Sequence, residues 1–162
     1  MAAVDYFLKI EGVDGESTDV NHKAEIEVES FSFGLSNTGS AIGSATGGGG
    51  AGKASFQDFH FTARVSKASP QLFLACASGK HIGTATFTAR KAGGEQQPFM
   101  KIDLGNVLVS SFQEGGATDN FPTDQCTLNF QKVIFSYSAT QPDGALGQPL
   151  LTNWNVSVNR AG

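Results

Sequence analysis

The sequence predicts a mainly β protein, an antiparallel β-barrel or β-sandwich with one short lateral α-helix over about residues 70–78. Three observations support this class. Apolar and polar residues alternate along most of the chain, as in strands that bury one face. Only one segment carries both a start and a stop signal for a helix. A long glycine-rich loop over about residues 39–52 separates two of the predicted strands.

Alternation predicts three strands before residue 66, over Val4–Ile10, Glu25–Leu35 and Ala54–Val65. In the second strand the apolar residues change parity between Val28 and Phe31. Because successive strand side chains point to opposite faces, this change predicts a bulge or a switch of the buried face.

The single helix follows the third strand. Ser69 is a favoured N-cap residue, and Pro70 suits the first helical position. Residues 71–78 form the predicted body of the helix, with Cys76 on its apolar face. Gly79 can adopt the left-handed conformation that commonly ends a helix.

The second half of the chain predicts further strands, with a hairpin turn at Gly93-Gly94 between the first two. These strands cover Thr84–Ala89, Phe99–Phe112 (one long strand or a broken pair), Cys126–Tyr137 and Leu151–Arg160.

Length requires a bend in the third of these strands. A straight strand from Thr123 to Ser138 would run about 50 Å, whereas a domain of this size is only about 40 Å across. The apolar parity changes at Gln131–Lys132, so a bulge is predicted there. In the last strand Trp154, Val156 and Val158 share one predicted face.

Composition fits one domain over residues 1–162 and excludes several classes of function. Charged residues make up 16 % of the chain and the net charge is −4, against roughly 25 % charged residues in ordinary domains. A surface with so few charged residues suggests that other copies of the chain or partner proteins cover part of it. Lys and Arg form no basic stripe, so nucleic acid is not an expected partner. No apolar run is long enough to span a membrane, and the first residues show no signal peptide.

A glycine-rich run partly matches a phosphate-binding loop, G-x-x-x-x-G-K-[ST], through Gly47, Gly52 and Lys53. Ala54 stands where the magnesium-binding hydroxyl is needed. The residues that follow alternate like a strand, whereas a phosphate-binding loop opens a helix. The preferred interpretation is a long flexible loop between strands, and loops of this length often bind partners.

No catalytic, metal or cofactor site is predicted. His22, His60 and His81 lack metal-ligand spacing. Cys76 with His81 could form a nucleophile pair, but a structural thiol is the preferred interpretation. The aspartates Asp103, Asp119 and Asp124 show no recognisable carboxylate pairing. Cys76 and Cys126 are expected to be reduced and buried, and a chance nearby pair stays open.

An ordered set of short motifs along nearly the whole chain resembles the hemolysin-coregulated protein (Hcp) family of the bacterial type VI secretion system. These motifs are Val4–Ile10, Gly15–Ser17, His22, Glu25–Val28, Phe31–Gly34, Gly47–Lys53, Ser69–Pro70, Ala75–His81, Arg90–Glu95, Leu108–Ser111, Leu128–Phe130, Asp143–Gly144 and Trp154. At Phe31 and Phe33 the chain differs from many family members, which carry Trp at these positions. Residues 39–46 also differ from the family pattern.

The resemblance implies a β-barrel with one lateral helix that is a structural protein and not an enzyme. It implies homohexameric rings that stack into a tube inside a contractile sheath and leave with a spike protein of the VgrG family. The tube also carries and chaperones small effector proteins. The implied location is the bacterial cytoplasm, followed by secretion to the medium or a target cell without a signal peptide. The chain ends soon after Trp154, so a plain tube subunit is expected.

Two alternatives stand beside the tube subunit. One is a monomeric ligand-binding β-barrel, which a native mass would separate from a ring. The other is a small hydrolase or nucleotide-binding enzyme on a β scaffold, which a nucleotide titration would separate.

Two surface sites are predicted within the resemblance. Phe31 and Phe33 flank Ser32, so if both rings are buried Ser32 points outwards. In the resembled family this strand belongs to the inner wall of the ring, which would make Ser32 a lumen and cargo contact. The second site is a ring-stacking loop, since glycine lets a backbone approach a neighbour closely. Its residues are Gly47, Gly48, Gly49, Gly50, Ala51, Gly52 and Lys53.

Overall fold

A computed structural model describes residues 4–37, 39, 52–93 and 97–162. Within these residues the chain forms eleven strands and one helix. Their bounds are β1 Val4–Ile10, β2 Ile26–Val28, β3 Ser30–Ser32, β4 Leu35–Asn37, β5 Ala54–Phe56, β6 Phe59–Arg64, α1 Ala68–Ser78, β7 His81–Lys91, β8 Pro98–Gly115, β9 Thr123–Asn129, β10 Lys132–Tyr137 and β11 Leu150–Asn155. The predicted mainly β, antiparallel class with one short helix is confirmed.

The main sheet runs β2-β1-β7-β8-β9-β6-β3, and its pairs are antiparallel. Its two end strands, β2 and β3, are consecutive in the chain and are separated only by Glu29. The Glu29 amide donates to the Thr62 carbonyl at 2.8 Å. Segment 26–32 therefore pairs with β1 in its first half and with β6 in its second. The predicted change of parity between Val28 and Phe31 is confirmed at this switch of partner.

Aromatic rings fill the space that the sheet encloses. Phe59, Phe61 and Phe87 are fully buried. Phe31 contacts Phe87 at 4.4 Å between ring centroids, and the Phe59 and Phe87 rings lie 5.3 Å apart. Such close aromatic pairs add stability beyond the burial of their area, so the interior is a packed core.

Helix α1 begins at Ala68, with Lys67 at the N-cap position, so the prediction of Ser69 as N-cap was wrong. Ser66 and Ser69 bracket the first turn instead, since the Ser66 amide donates to Ser69 Oγ at 3.0 Å and the Ser69 amide donates to the Ser66 carbonyl. The Ser69 hydroxyl is held inside the protein, which explains why it does not cap. Gly79 ends the helix at φ 65°, as predicted.

The longest strand, β8, spans 18 residues and joins two parts of the sheet. Its first half pairs with β7 and β10, and its second half pairs with β9. The register shifts between Val109 and Ser111, so Ser110 lies in a bulge. Strands β9 and β10 are separated by Phe130 and Gln131, so the chain breaks one residue before the predicted bulge at Gln131–Lys132.

Two predicted strands are shorter than expected. The segment 54–65 is divided into β5 and β6, because β5 pairs with β4 in a separate two-stranded ribbon. The last strand ends at Asn155, where the chain turns and Arg160 bridges back to Asn155. Trp154 and Val156 pack against the core, but Val158 lies in the turn and is exposed. No helix in the described ranges is both long enough and apolar enough to cross a membrane.

Candidate functional site

One outer face of the main sheet is polar and carries almost no charge. The register aligns Ser32 of β3 with His60 of β6, Thr127 of β9 and Ser111 of β8 in one row across four strands. A second row is aligned in the same way and contains Ser30, Thr62, Gln125 and Gln113. These two rows are called the polar sheet face below. The intervening residues on the same strands point to the core, as period-two alternation requires.

Half of the side chains of the polar sheet face bond to each other. Ser30 Oγ and Thr62 Oγ1 lie 2.5 Å apart, and the Ser111 hydroxyl lies 2.5 Å from Thr127 Oγ1. At its margin the Ser110 hydroxyl donates to Asp58 at 2.6 Å. These paired groups have little hydrogen-bonding capacity left for a partner molecule.

Ser32 and His60 differ from these neighbours. Ser32 is exposed and His60 is partly exposed, and neither side chain makes a hydrogen bond within the described ranges. Phe31 and Phe33 on either side of Ser32 pack against the core. The expected parity is therefore present. Ser32 and His60 are adjacent groups of the face with open hydrogen-bonding capacity, as are the exposed Gln113 and Gln125 side chains of the second row. Sequence reasoning placed His60 on the polar side of its strand but missed its pairing with Ser32, because register joins residues far apart in sequence.

The predicted ring-stacking loop falls mostly outside the described residues. Gly47, Gly48, Gly49, Gly50 and Ala51 lie there, while Gly52 and Lys53 lead directly into β5. The Asn37 side chain donates to the Gly52 carbonyl at 2.7 Å, which ties the two ends of this segment together beside the β4–β5 ribbon. A strand, not a helix, follows Lys53, in agreement with the preferred interpretation.

A second kind of surface is apolar and exposed. Among the strands of the described residues, β11 pairs only with β10, which leaves its other edge without a strand partner there. Leu150 and Leu151 on β11 are 77 % and 63 % exposed. On β10, Ile134, Phe135 and Tyr137 are also exposed. The term β10–β11 arm is used below for these two strands. A free edge with exposed leucines is a surface that folded proteins normally cover.

The helix carries another apolar surface. Phe73 and Leu74 of α1 are 60 % and 64 % exposed, and the Phe73 ring meets Phe112 of β8 edge-on at 6.1 Å. Phe112 lies near one end of β8, whereas the β10–β11 arm pairs with Met100–Gly105 near the other. At about 3.3 Å per residue the two surfaces lie roughly 30 Å apart along β8.

The thiols are placed as structural groups. Cys126 is fully buried and free, and burial, helped by the nearby Asp124 charge, raises the pKa of its thiol to about 12. Cys76 is free and half-buried against the core, while His81 is exposed at the start of β7. In the described ranges no three His, Cys, Asp or Glu side chains are grouped so that they could hold a metal ion.

One expectation about the carboxylates was wrong. The sequence showed no carboxylate pairing for Asp124, yet β8 places Glu114 directly opposite it. The hydrogen bond to Asp124, together with burial and charge repulsion, raises the pKa of Glu114 to about 7. The bulge at Ser110 changes the register by one residue, so sequence spacing alone could not have found this pair.

Comparison with known proteins gives one consistent result. Residues 7–137 match the family model described as "Type VI secretion system effector, Hcp". The chain is 46 % identical over 160 residues to Protein hcp1 of Pseudomonas aeruginosa, covering 97 % of this chain and 98 % of that protein.

Solved structures agree with this match over almost the full chain. A structure described as that of a type six secretion system protein has a TM-score of 0.92 at 29 % identity, covering 99 % of this chain and all of that one. Hcp1 from Salmonella typhimurium has a TM-score of 0.84 at 31 % identity, with 99 % and 100 % of the two chains covered. With this fold and this sequence match along its length, the chain belongs to the Hcp family of type VI secretion proteins, a structural and secreted family rather than an enzyme family.

Proposed function

We propose that this chain is the tube subunit of a type VI secretion system. Six copies form a ring, rings stack into a tube inside a contractile sheath, and the tube leaves the bacterial cytoplasm with a spike protein of the VgrG family. The tube delivers small effectors to the medium or to a target cell. The observation that carries the proposal is the 46 % identity to an Hcp protein over 97 % of the chain.

The two apolar surfaces support a closed ring. A ring built from one kind of chain joins two unlike surfaces, head to tail, at each contact. The β10–β11 arm and the outer side of α1 lie near opposite ends of β8, so each could serve a different neighbour. Covering Leu150, Leu151, Phe73 and Leu74 would also remove the most exposed apolar residues of these elements from water.

The polar sheet face suits the wall of a channel. Six domains about 40 Å across leave a central opening of up to about 40 Å, which admits a small folded protein. A face of polar side chains, most of them short Ser and Thr hydroxyls, adapts to varied cargo and narrows such an opening little. In this proposal Ser32 points into the lumen and contacts cargo.

The filled interior argues against the monomeric ligand-binding alternative. Such barrels hold their ligand in an internal cavity. Here Phe59, Phe61 and Phe87 meet in the centre and are fully buried. The protein's binding surfaces are therefore expected on its outside.

Native mass spectrometry tests the ring directly. The wild-type chain at micromolar concentration should give a hexamer, and Leu151→Glu should give smaller species because it places a charge in the covered surface. Val20→Glu is the matched control, since Val20 is 88 % exposed and lies outside both apolar surfaces. A wild-type monomer would contradict the ring, and dissociation by both variants would contradict the role of the arm.

Effector binding tests the channel wall. Ser32→Gln should leave the hexamer intact, because a polar surface change costs within about 0.5 kcal/mol, but it should reduce co-purification of the cognate effector. Dissociation of the ring by this variant would place Ser32 in the subunit contact instead.

Bulky replacements of Gly48 and Gly49 test ring stacking in the same way, since they should leave hexamers intact but weaken stacking and secretion.

A further inference from the structure

A buried carboxylate lies beneath the first turn of α1. Asp124 of β9 is 1 % exposed. Its Oδ2 atom accepts a hydrogen bond from the Ser69 hydroxyl at 2.5 Å. Its Oδ1 atom is also buried and, when the carboxyl groups of Asp124 and Glu114 are both ionised, has no hydrogen-bond donor in the described ranges. Leaving a buried carboxylate oxygen without a donor is costly, so this atom needs a proton from somewhere.

Glu114 is the group placed to supply that proton. It lies directly opposite Asp124 in the β8–β9 ladder. Two ionised carboxylates so close together repel each other, whereas one proton between them replaces the repulsion with a hydrogen bond. The hydrogen bond to Asp124 raises the pKa of Glu114, so this proton binds to Glu114.

In the part of the chain that the structure describes, no Lys, Arg or His side chain forms an ion pair with Asp124. On β6, Arg64 follows Ala63, the residue paired with Asp124, but its guanidinium lies 3.5 Å from the centre of the Phe121 ring. On α1 the contact is the neutral Ser69 hydroxyl. Two residues along β9, the Cys126 thiol is held in its neutral form by its raised pKa.

We propose that Glu114 and Asp124 share one proton, which fastens the first turn of α1 to the β8–β9 ladder, and that losing this proton loosens the helix. The hydrogen bond to Asp124 raises the pKa of Glu114 to about 7. In the folded protein the fastening is therefore complete in mildly acidic solution and is lost as the pH rises through neutrality. The proposal concerns the single chain and does not depend on the tube.

The linked change in stability has a definite sign. The pKa of Glu114 is raised from 4.5 to about 7 on folding, so the folded state binds more protons than the unfolded state between these values. The stability from this group is complete below pH 4.5 and falls as the pH rises towards 7. Above pH 7 no further change is expected from this pair.

Carbon-13 NMR of the labelled glutamate carboxyl groups tests the shared proton in the wild-type protein. Glu114 should titrate with a midpoint near 7, against 4.5 for an ordinary glutamate. A midpoint for Glu114 within half a unit of 4.5 would overturn the proposal.

A variant tests the consequence for the helix. Glu114→Gln supplies a permanent N–H donor to Asp124, so its thermal midpoint should gain about 3 °C relative to wild type between pH 5 and pH 7.5. Amide exchange in the first turn of α1, corrected for its intrinsic rate, should accelerate above pH 7 in wild type only. Glu27→Gln, which removes an exposed carboxylate of β2, is the matched control and should keep the wild-type slope. An identical pH slope in Glu114→Gln and Glu27→Gln would show that the pair does not fasten the helix.

Discussion

Arg90 and Asp124 are both almost fully buried, at 3 % and 1 % exposure, but their charged neighbours differ in sign. Arg90 of β7 meets two carboxylates, Asp19 at 2.5 Å and Asp5 at 3.4 Å. Asp124 meets a hydroxyl and another carboxyl group. Opposite charges hold each other ionised over a wide pH range, whereas like charges need a proton between them. The ion pairs of Arg90 are therefore insensitive to pH near neutrality, whereas the pair of Asp124 and Glu114 is sensitive to it.

The Arg90 contact fastens the loop between β1 and β2. Its guanidinium bonds to Asp19 in this loop and lies 4.7 Å from the centre of the Phe7 ring. Phe7 in turn stacks on His22 of the same loop at 4.4 Å. The bond from Arg90 lowers the pKa of Asp19 to about 2, and the same bond raises the pKa of Arg90. This loop should stay attached wherever Asp19 is ionised.

The largest effect is expected from Arg90→Met. It keeps the long side chain but leaves Asp19 without its cation, so the free energy of unfolding should fall by more than in the other variants described here. Urea denaturation at pH 7 measures the loss. Arg64→Met is the control, because Arg64 is exposed and only covers Phe121, and it should cost about 0.5–1 kcal/mol. Equal losses of unfolding free energy in the two variants would contradict the larger contribution expected from the buried arginine.

A smaller loss is expected from Ser69→Ala on the Asp124 side. It removes the donor to Asp124 Oδ2 and the acceptor for the Ser66 amide, so about 2 kcal/mol should be lost. Ser30→Ala removes an exposed hydroxyl that bonds only to Thr62 and should change stability by less than about 0.5 kcal/mol. If the two variants were equally stable in urea, Asp124 would not depend on Ser69.

The smallest effect is expected from Asp19→Asn and should be present above pH 4 and disappear in acid. Because folding lowers the pKa of Asp19 from 3.8 to about 2, its contribution is present above pH 4 and is lost as the pH falls through 2. Wild-type stability should therefore drop more steeply than that of Asp19→Asn between pH 4 and pH 2. Thermal midpoints over this range measure the difference, and parallel curves would contradict it.

The sequence predicted local features better than remote ones. Strand β1, the parity change near Glu29 and the left-handed Gly79 each depend on residues close together in the chain, so periodicity and backbone preference revealed them. Ser69 was misassigned as a cap because its hydroxyl is claimed by Asp124, 55 residues away.

Buried charges were the least visible part of the sequence. Nothing in the sequence around Arg90 marks it as buried, because its burial depends on Asp5 and Asp19, which contact it from β1 and the following loop. The Asp124 pair depends on a register that the bulge at Ser110 shifts. The Ser32–His60 pairing on the polar sheet face was hidden for the same reason, since only the ladder brings the two residues together.

The connection between β6 and β9 also affects how the protein is made. Phe59–Arg64 pairs with Thr123–Leu128, so this ladder joins segments about 65 residues apart. A ribosome adds about 5–20 residues per second. For several seconds, therefore, β6 has been synthesised but β9, the strand that pairs with it, has not. A chaperone that covers β6 during that interval would protect the chain when it is most prone to pair with another copy.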